Sequence, residues 1–293
     1  MDLSVIIVSY NVKNCLRLCL ETVLIALRDI SSEIIVVDNN SEDGSAEMVS
    51  KFYPEAALIR NETNKGFSAA CNQGLHSSTG RYVLILNPDT MVPPFAFTSF
   101  ISFMEEHEAA GAAGPRLTDK GGRFLPESKR GFPGPAAAVF RFSRLYWFFP
   151  DSEIINRYYM GHIGEHETAV VDAVTGAFLF MRREAAEKAG FFDERYFLFG
   201  EDIDICMQIS AAGYEVWYYP EVTVTHFKGR SGSMTTYRGI ANFYRSMHIF
   251  IEKNLRRDYI FPVRMLFHAG VIAAFLLSVV IRTPAVAVRN MNR

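Results

Sequence analysis

The stretch from Tyr82 to Thr90, YVLILNPDT, joins five apolar residues directly to Asn87, Pro88 and Asp89. The apolar run predicts a buried strand, which places the acidic residue just beyond the strand's carboxyl end. In open α/β sheets, ligands bind in the crevice at this end of the strands. A carboxylate there suits a divalent cation and phosphate oxygens. Asn-Pro and Pro-Asp are also common in turns, so the meaning of the motif depends on the rest of the chain.

Strands and helices alternate through the first 90 residues. Apolar runs predict strands at 3–9, 33–37, 57–60 and 82–86, and helical spacing is found at 14–27, 43–52 and from 67 to about 76. This order predicts an α/β fold with a mainly parallel, open sheet flanked by helices. The chain has no glycine-rich dinucleotide or P-loop fingerprint after the first strand. The ligand-contacting groups are therefore expected at the polar strand ends: Ser9, Tyr10, Asp38, Asn40 and Asp89.

The second half of the chain is less regular. Residues 111–166 are rich in Gly, Pro and aromatic residues, which predicts long loops with short elements. A strand-like run at 170–181 is interrupted at Gly176, where a glycine permits close backbone approach. Glu201 and Asp202 then open a helix, on which Asp204 is expected to face solvent. Carboxylates at a helix N-terminus gain roughly 0.3–1 kcal/mol from the helix dipole, so a purely helix-capping role is the alternative interpretation.

Composition limits the class of protein. With 293 residues, 49% of them hydrophobic, the chain can form one large domain with an extension. The net charge of −2 and the absence of a nucleic-acid-binding motif argue against a nucleic acid partner. The four cysteines form no C-x-x-C pair, and the N-terminus enters a strand without a signal peptide. These features predict a cytoplasmic protein.

The C-terminal segment 265–281, MLFHAGVIAAFLLSVVI, contains no formal charge. It stands at the lower limit of the roughly 17–25 residues that span a bilayer. Arginines flank it on both sides, which also suits a helix lying in the membrane interface. We predict membrane association of this tail. A buried helix and a homodimer contact are the alternatives.

Seven segments, in this order, resemble the family 2 glycosyltransferases, which are inverting enzymes with the nucleotide-sugar-binding fold called GT-A. They are SVIIVSYN, VVDNNSEDGS, NKGFSAACNQG, LILNPDT, VTGAFLFMRR, GFFDERYFLFGEDIDIC and HFKGRS. Within the family the chain is most similar to bacterial rhamnosyltransferase-type enzymes that extend cell-surface polysaccharides. The resemblance implies a GT-A domain at 1–255 and a hydrophobic helical tail at 256–293. The domain would comprise a nucleotide-sugar-binding half, 1–110, and an acceptor and catalytic half, 111–255.

The resemblance also implies which residues hold the donor. Ser9, Tyr10, Asp38 and Asn40 would hold its nucleoside. A second group matches the motif N-x-G-F-x-x-x-x-N, which forms part of the nucleotide pocket in such enzymes: Asn64, Gly66 and Asn72.

The metal site of the family is expected at Asn87-Pro88-Asp89, which occupies the place of the D-x-D motif. Asp89 would bind a Mg²⁺ or Mn²⁺ ion that bridges the two phosphates of the donor. Asn87 replaces the first acid and so removes one charge from the site. His226 corresponds to a further metal ligand in some members, and its alternative interpretation is a structural residue at a strand end.

The catalytic residues are expected in the second half. Asp202 matches the Asp of the family's E-D motif and is the expected general base, with Glu201 orienting the acceptor or the base. Gly176 and Ala177 would let the acceptor approach. A single base on the face opposite the leaving group gives inversion in one displacement. Residues 229–231 are expected to close over the pyrophosphate.

The expected activity is inverting transfer of a sugar from a nucleoside-diphosphate donor. The acceptor would be a hydroxyl of a cell-surface polysaccharide or lipid-linked glycan, at the inner face of the cell membrane. Rhamnose as the sugar rests on the resemblance alone. One alternative is a sugar nucleotidyltransferase, which would need a glycine-rich basic loop after the first strand. The other is a non-catalytic glycan-binding relative that kept the fold.

Overall fold

The computed structural model describes residues 1–227, 236–256 and 259–291. The first part of the chain contains, in order, β1 (Leu3–Ser9), α1 (Lys13–Ala26), β2 (Ser32–Asp38), α2 (Ser45–Phe52), β3 (Ala56–Arg60), α3 (Phe67–Ser77), β4 (Tyr82–Leu86), β5 (Thr90–Met91) and α4 (Ala96–Glu106). The second part contains β6 (Ala110–Thr118), β7 (Lys129–Arg130), α5 (Pro135–Phe142), β8 (Ala169–Val170), β9 (Ala173–Val174), β10 (Phe178–Arg182), α6 (Arg183–Lys188), α7 (Glu201–Ala211), β11 (Glu215–His226), α8 (Tyr237–Asn254) and α9 (Phe261–Met291).

The main sheet has the strand order β3-β2-β1-β4-β10-β6-β11-β5, with β8 paired to β11. Strands β1 to β4 are mutually parallel, and β6 and β11 run in the same direction. β10 lies antiparallel between β4 and β6, while β7 and β9 form a separate two-stranded sheet. The predicted mainly parallel sheet with flanking helices is confirmed, as is the C-terminal apolar helix.

Helices cover both faces of this sheet. β1 is buried at every residue, and its alternate side chains enter two different cores. Val5 and Ile7 pack on the face covered by α1 and α4, whereas Ile6 and Val8 pack on the face covered by α3 and α7. A strand buried on both faces requires a continuous apolar run, which is why its bounds were predictable.

β6 runs through the region for which loops were expected. Its sequence, AGAAGPRLT, is poor in the β-branched and aromatic residues that indicate a strand. The structure requires small residues there: a Cβ on Gly114 would lie 2.7 Å from the Val174 Cβ, and one on Gly111 would lie 2.5 Å from the Tyr214 Cβ. The expectation of loops was therefore wrong for this central strand, because close packing by distant segments set its composition.

The expectation that Asp204 faces solvent was also wrong. Its side chain is 1% exposed. The carboxylate accepts hydrogen bonds from Lys253 Nζ at 2.7 Å and from Asn254 Nδ2 at 2.9 Å, both from α8. Because α8 covers this face of α7, a position that helical spacing assigns to the surface is buried.

α8 and α9 pack against each other through a small core of their own, in which Ile240, Tyr244 and Ile251 meet Val271. Within α9, Phe261–Ile281 is long and apolar enough to cross a membrane by length and composition, and little of it is buried. The division into a domain at 1–255 and a tail at 256–293 stays a prediction.

The packing around Gly114 predicts a loss of stability in Gly114→Ala. The added methyl would enter a filled site beside Val174, so we expect a cost of about 1–3 kcal/mol in the free energy of unfolding. Denaturant unfolding measures it. Gly134→Ala is the control, because a Cβ there meets no atom within 4 Å. Equal stabilities of the two variants would contradict the close packing of β6.

Candidate active site

The carboxyl ends of β1 and β2 bring Ser9 and Asp38 side by side, as partners in the parallel register. Both residues are buried, and Asp38 Oδ2 accepts the Ser41 N–H at 2.9 Å. Within the part of the chain that the structure describes, Ser9 Oγ and Asp38 Oδ1 have no hydrogen-bond partner. Buried polar atoms are normally paired, so these two atoms are available to a ligand at the sheet edge.

Tyr10 and Asn40 lie at the rim of the same edge. Tyr10 is 40% exposed, and Asn40 is exposed with a positive φ of 68°. The two loops are tied together, since Asn11 N–H donates to Ser41 Oγ at 3.0 Å and Asn11 Oδ1 accepts the Glu42 N–H at 2.7 Å. These bonds hold both rims next to the Ser9 and Asp38 pair.

Asn39 is a residue of this region that sequence reasoning missed. It is 2% exposed, and its Nδ2 donates to Asn64 Oδ1 at 3.1 Å and to the Gly66 carbonyl at 3.0 Å. Its Oδ1 accepts from Asn61 Nδ2 at 3.1 Å and from the Lys65 N–H at 3.0 Å. The amide thus uses both donors and both acceptor sites. Asn39 and Asn40 are adjacent and identical in the sequence, and they differ only in burial, which the sequence does not show.

Gly66 makes close contact with the segment that leads to the predicted catalytic pair. Its φ is +90°, and a Cβ there would lie 2.8 Å from the Phe197 carbonyl oxygen. The same carbonyl accepts the Phe67 N–H at 2.7 Å. Asn64 supports the turn, since its Oδ1 accepts the Gly66 N–H at 2.9 Å. The glycine is thus required for the approach of the 190–200 segment.

Asn72 holds the same segment at a second point. Its Nδ2 donates to the Phe192 carbonyl and to Glu194 Oε1, each at 2.9 Å, and its Oδ1 accepts the Phe192 N–H at 3.0 Å. The predicted contacts of Asn64, Gly66 and Asn72 with a nucleotide stay predictions. The contacts observed here position the 190–200 segment, which leads directly into α7.

The end of β4 meets the end of β11 through β5. The β11–β5 pairing sets His226 opposite Thr90, and His226 Nε2 lies 3.2 Å from Asp89 Oδ1. Both side chains are buried, and the Asp89 carbonyl accepts the Phe227 N–H at 2.8 Å. The structure therefore brings together the two predicted metal ligands, which are far apart in the sequence.

These two residues fit a divalent cation that takes its other ligands from substrate or water. His226 Nδ1 is buried and has no hydrogen-bond partner among residues 1–227, 236–256 and 259–291. In the same ranges, no group of three His, Cys, Asp or Glu side chains gathers at a potential metal site. Mg²⁺ is commonly held by one or two carboxylates plus substrate phosphates. Asn87, two residues before Asp89 in the chain, carries a neutral side-chain oxygen.

The predicted base is joined to β4 through two backbone groups. The Asn87 N–H donates to the Ala177 carbonyl at 2.9 Å, and the Gly176 N–H donates to Asp202 Oδ2 at 3.0 Å. A Cβ on Gly176 would lie 3.2 Å from the Asp202 Cβ, so a glycine lets the carboxylate approach this strand end. The structure thus connects Asp202 to Asn87 through the backbone of Gly176 and Ala177. The predicted role of Gly176 and Ala177 toward an acceptor stays a prediction.

Arg130 is the second functional candidate that sequence reasoning missed. Its guanidinium donates to Asp202 Oδ2 at 2.6 Å and to the Val174 carbonyl at 2.8 Å, in a buried ion pair. Burial opposes the positive charge, but the adjacent Asp202 carboxylate raises the pKa of Arg130 above its ordinary value. The residue reaches the site only through the pairing of β7 with β9, and its segment shows no periodic pattern in the sequence.

Glu201 is buried beside this ion pair. Its Oε2 has no hydrogen-bond partner within the described part of the chain. Burial, followed by the negative charge of Asp202, raises the pKa of Glu201 to about 8. Glu201 is therefore mostly protonated at neutral pH, while Asp202 carries the charge that Arg130 balances. Asp202 Oδ1 also accepts the Ile203 N–H at 2.8 Å. Asp202 therefore does bind a backbone N–H at the start of the helix, as the helix-capping alternative expects, but this is not its only contact.

The loop predicted at 229–231 to close over the pyrophosphate lies outside the described residues.

The raised pKa of Glu201 predicts a pH-dependent gain in stability for Glu201→Gln. The unfolded chain releases this proton near pH 4.5, whereas the folded protein retains it up to about pH 8. Wild-type stability should therefore fall relative to the variant as the pH rises between these values, by at most about 1.4 kcal/mol per pH unit. Urea unfolding across the range measures the difference. Glu187→Gln, which removes an exposed carboxylate on α6, is the control. A pH-independent difference for Glu201→Gln would contradict the assignment.

Comparison with known proteins places this chain. Residues 4–190 match the family described as Glycosyl transferase family 2. The chain is 28% identical over 233 residues to N-acetylglucosaminyl-diphospho-decaprenol L-rhamnosyltransferase of Mycobacterium tuberculosis, covering 74% of each protein. It is 26% identical over 146 residues to Rhamnosyltransferase WbbL of Escherichia coli, covering 50% of this chain and 52% of that protein.

Solved structures share the fold. The crystal structure of Staphylococcus aureus TarS 1–349 in complex with UDP-GlcNAc aligns with a TM-score of 0.59 at 19% identity, covering 95% of this chain and 72% of that one. GalNAc-T7 with UDP, GalNAc and Mn²⁺ aligns with a TM-score of 0.58 at 15% identity, covering 86% and 48%. These structures confirm the predicted GT-A fold. The chain belongs to glycosyl transferase family 2 and is a glycosyltransferase.

Proposed function

We propose that this enzyme transfers a rhamnosyl residue, with inversion, from a nucleoside-diphosphate donor to a hydroxyl of a lipid-linked glycan. The sugar is inferred from the names of two relatives, both rhamnosyltransferases. The acceptor class is inferred from the diphospho-decaprenol acceptor in the name of the mycobacterial relative. A protein with such an acceptor works at the cytoplasmic face of the cell membrane. The exposed apolar helix α9 is consistent with that location.

One observation carries the proposal: a continuous chain of contacts joins the predicted donor edge to the predicted base. Asn87, at the end of β4, bonds to Ala177, and the adjacent Gly176 bonds to the carboxylate of Asp202. A leaving diphosphate held near Asp89 and an acceptor hydroxyl near Asp202 would then face each other across one strand end. Holding two reactants in a fixed geometry in this way is a large contribution to catalysis.

Asp202 is proposed as the general base. Its Oδ2 is occupied by Arg130 and Gly176, whereas Oδ1 accepts one hydrogen bond, from Ile203. A carboxylate oxygen has about two lone-pair sites, so Oδ1 can accept the acceptor hydroxyl. The hydroxyl oxygen attacks the anomeric carbon while the bond between that carbon and the diphosphate oxygen breaks. The proton of the hydroxyl passes to Asp202. The products are the inverted glycoside and the nucleoside diphosphate.

The donor is proposed to bind along the strand ends. Asp38 Oδ1 and Ser9 Oγ would pair with polar groups of the nucleoside, with Tyr10 and Asn40 at the rim. Asp89 and His226 would hold a Mg²⁺ or Mn²⁺ ion, consistent with Mn²⁺ in the structure of GalNAc-T7. When bound, such an ion neutralises charge on the leaving diphosphate. Asn64, Gly66 and Asn72 support the pocket by holding the 190–200 segment.

The alternatives differ in what they predict. Family membership disfavours a sugar nucleotidyltransferase, and no glycine-rich basic loop follows β1, since Ser9, Tyr10 and Asn11 stand there. A non-catalytic relative that only binds glycans would still bind donor or acceptor but would not turn over. Measurements of donor binding and turnover on the same variants therefore distinguish a glycosyltransferase from a non-catalytic relative.

Asp202→Asn should abolish turnover and retain donor binding. The amide keeps the size of the side chain but cannot accept the proton, and loss of a general base typically costs 10²–10⁴-fold in kcat. Transfer assays and donor titration measure the two effects. Asp29→Asn, which changes an exposed carboxylate after α1, is the matched control. Wild-type turnover in Asp202→Asn would remove this residue from the role.

Donor identity is tested by thermal stabilisation with dTDP-, UDP- and GDP-linked sugars, with and without Mn²⁺. We expect dTDP-rhamnose to raise the Tm more when Mn²⁺ is present, because the ion and the diphosphate complete each other's coordination. Asp89→Asn should remove the Mn²⁺-dependent part of the shift and keep part of the nucleoside-dependent one. A shift that is equal with and without Mn²⁺ in the wild type would contradict the proposed metal site.

A further inference from the structure

Helix α9 has two different sides. Its inner side packs on α8, where Val271 is buried and Phe267 and Phe275 are partly buried. Its outer side is apolar and open, with exposed fractions of 50% for Met265, 51% for Ile272 and 71% for Val280. The residues between them on this side are exposed as well: Leu266, Leu276, Leu277 and Ile281. Apolar stripes of this size mark a surface that another apolar phase covers.

Between 261 and 281, where the side chains are described, the inner side also carries polar groups of the helix. Ser278 Oγ lies 2.5 Å from Tyr244 Oη, and His268 Nδ1 lies 2.6 Å from His248 Nδ1. His268 Nε2 also lies 2.7 Å from a carboxylate oxygen of Glu252. The polar side of α9 is therefore satisfied by α8. A helix surrounded by lipid would lose these partners and expose polar groups to hydrocarbon.

α8 is in turn fixed to the catalytic helix. Lys253 Nζ lies 2.7 Å from Asp204 on α7 and 2.9 Å from Asp193, and Ser246 Oγ donates to the Leu198 carbonyl at 3.0 Å. If α9 crossed a bilayer along the membrane normal and kept its packing on α8, then α8 and the domain attached to it would also have to enter the hydrocarbon. Burying such charges away from water is unfavourable.

The flanking charges suit an anionic surface. Arg256 and Arg257 stand before the apolar segment and Arg282 follows it, and the sequence contains no acidic residue from 259 to 293. Arg264, which also precedes the segment, is paired with Glu252 of α8 at 3.4 Å. Basic residues near a membrane surface are attracted to anionic phospholipids. An apolar side bounded by basic residues is typical of helices that lie in the interface plane.

From these observations we propose that α9 binds the surface of an anionic phospholipid bilayer in the plane of the membrane, through its outer side and within a single leaflet. The α8–α9 packing stays intact in the bound state, and Lys253 keeps α8 joined to α7. This inference rests on the membrane location in the proposed function and specifies how that location is achieved.

Vesicle flotation of the full chain tests the surface. We expect wild-type protein to float with vesicles of phosphatidylcholine and phosphatidylglycerol, and Ile272→Glu/Leu276→Glu to lose at least tenfold in vesicle affinity. Phe52→Glu is the control, because it places a single carboxylate at an apolar side chain of α2 that is 63% exposed. Thermal unfolding checks that both variants are folded. Equal vesicle binding by wild type and the double variant would overturn the proposal.

Depth measurements distinguish lying in the interface from spanning. Nitroxide labels at Met265→Cys, Ile272→Cys and Val280→Cys, in a Cys15→Ser background, cover roughly 22 Å of helix axis. An in-plane helix gives all three labels similar depths, within roughly 5–10 Å of the headgroup boundary. A middle label much deeper than the two end labels would show a spanning helix and overturn the proposal.

Self-association is the remaining outcome. A dimer formed without lipid and dissociated by Ile272→Glu/Leu276→Glu would assign the outer side to a second copy of the chain and overturn the proposal. Donor-dependent thermal stabilisation, measured on the same samples, reports separately on the transferase site. Failure of the wild-type protein to bind vesicles, with donor binding retained, would therefore reject this inference and leave the proposed function standing.

Discussion

The antiparallel pairing of β10 with β4 is the constraint on which the rest of the site depends. Phe178 lies opposite Leu86, and the next hydrogen bond joins Asn87 to Ala177. This register sets Gly176 beside the end of β4, so the Asp202 carboxylate can bond to its N–H. A slip of one residue would turn every side chain of the strand to the opposite face of the sheet. Both strands are buried, which makes such a slip costly and fixes the distance between donor edge and base.

Buried charge is the second organising factor. Each of two carboxylates on α7 is paired with a cation from a different segment: Asp202 with Arg130 and Asp204 with Lys253. Glu201 precedes both in the chain and is buried, and its raised pKa leaves it mostly protonated at neutral pH. Unpaired charge is expensive to bury, so three adjacent acids are tolerated only as two ion pairs and one neutral acid. The N-terminus of α7 is therefore assembled by the middle and C-terminal segments together.

Polar side chains connect the donor edge to this helix. Asn39, next to Asp38 at the end of β2, bonds to the Gly66 carbonyl, and Gly66 in turn contacts Phe197. Asn72 holds the same 190–200 segment from α3. Satisfied buried networks of this kind are rigid, because each broken bond leaves a polar group without a partner. Donor edge and catalytic helix thus form one connected unit.

Local sequence pattern was enough to predict the parallel half of the sheet, with Asp38 and Asp89 at strand ends, because a strand buried on both faces must be a continuous apolar run. It also determined the family through its motifs. Three features became visible only in the folded chain: β6 is a strand, Asp204 is buried, and Arg130 reaches the site. The spacing of apolar residues along a helix or strand indicates which of its faces is buried. These three features depend instead on contacts between segments distant in the chain, which no local pattern encodes.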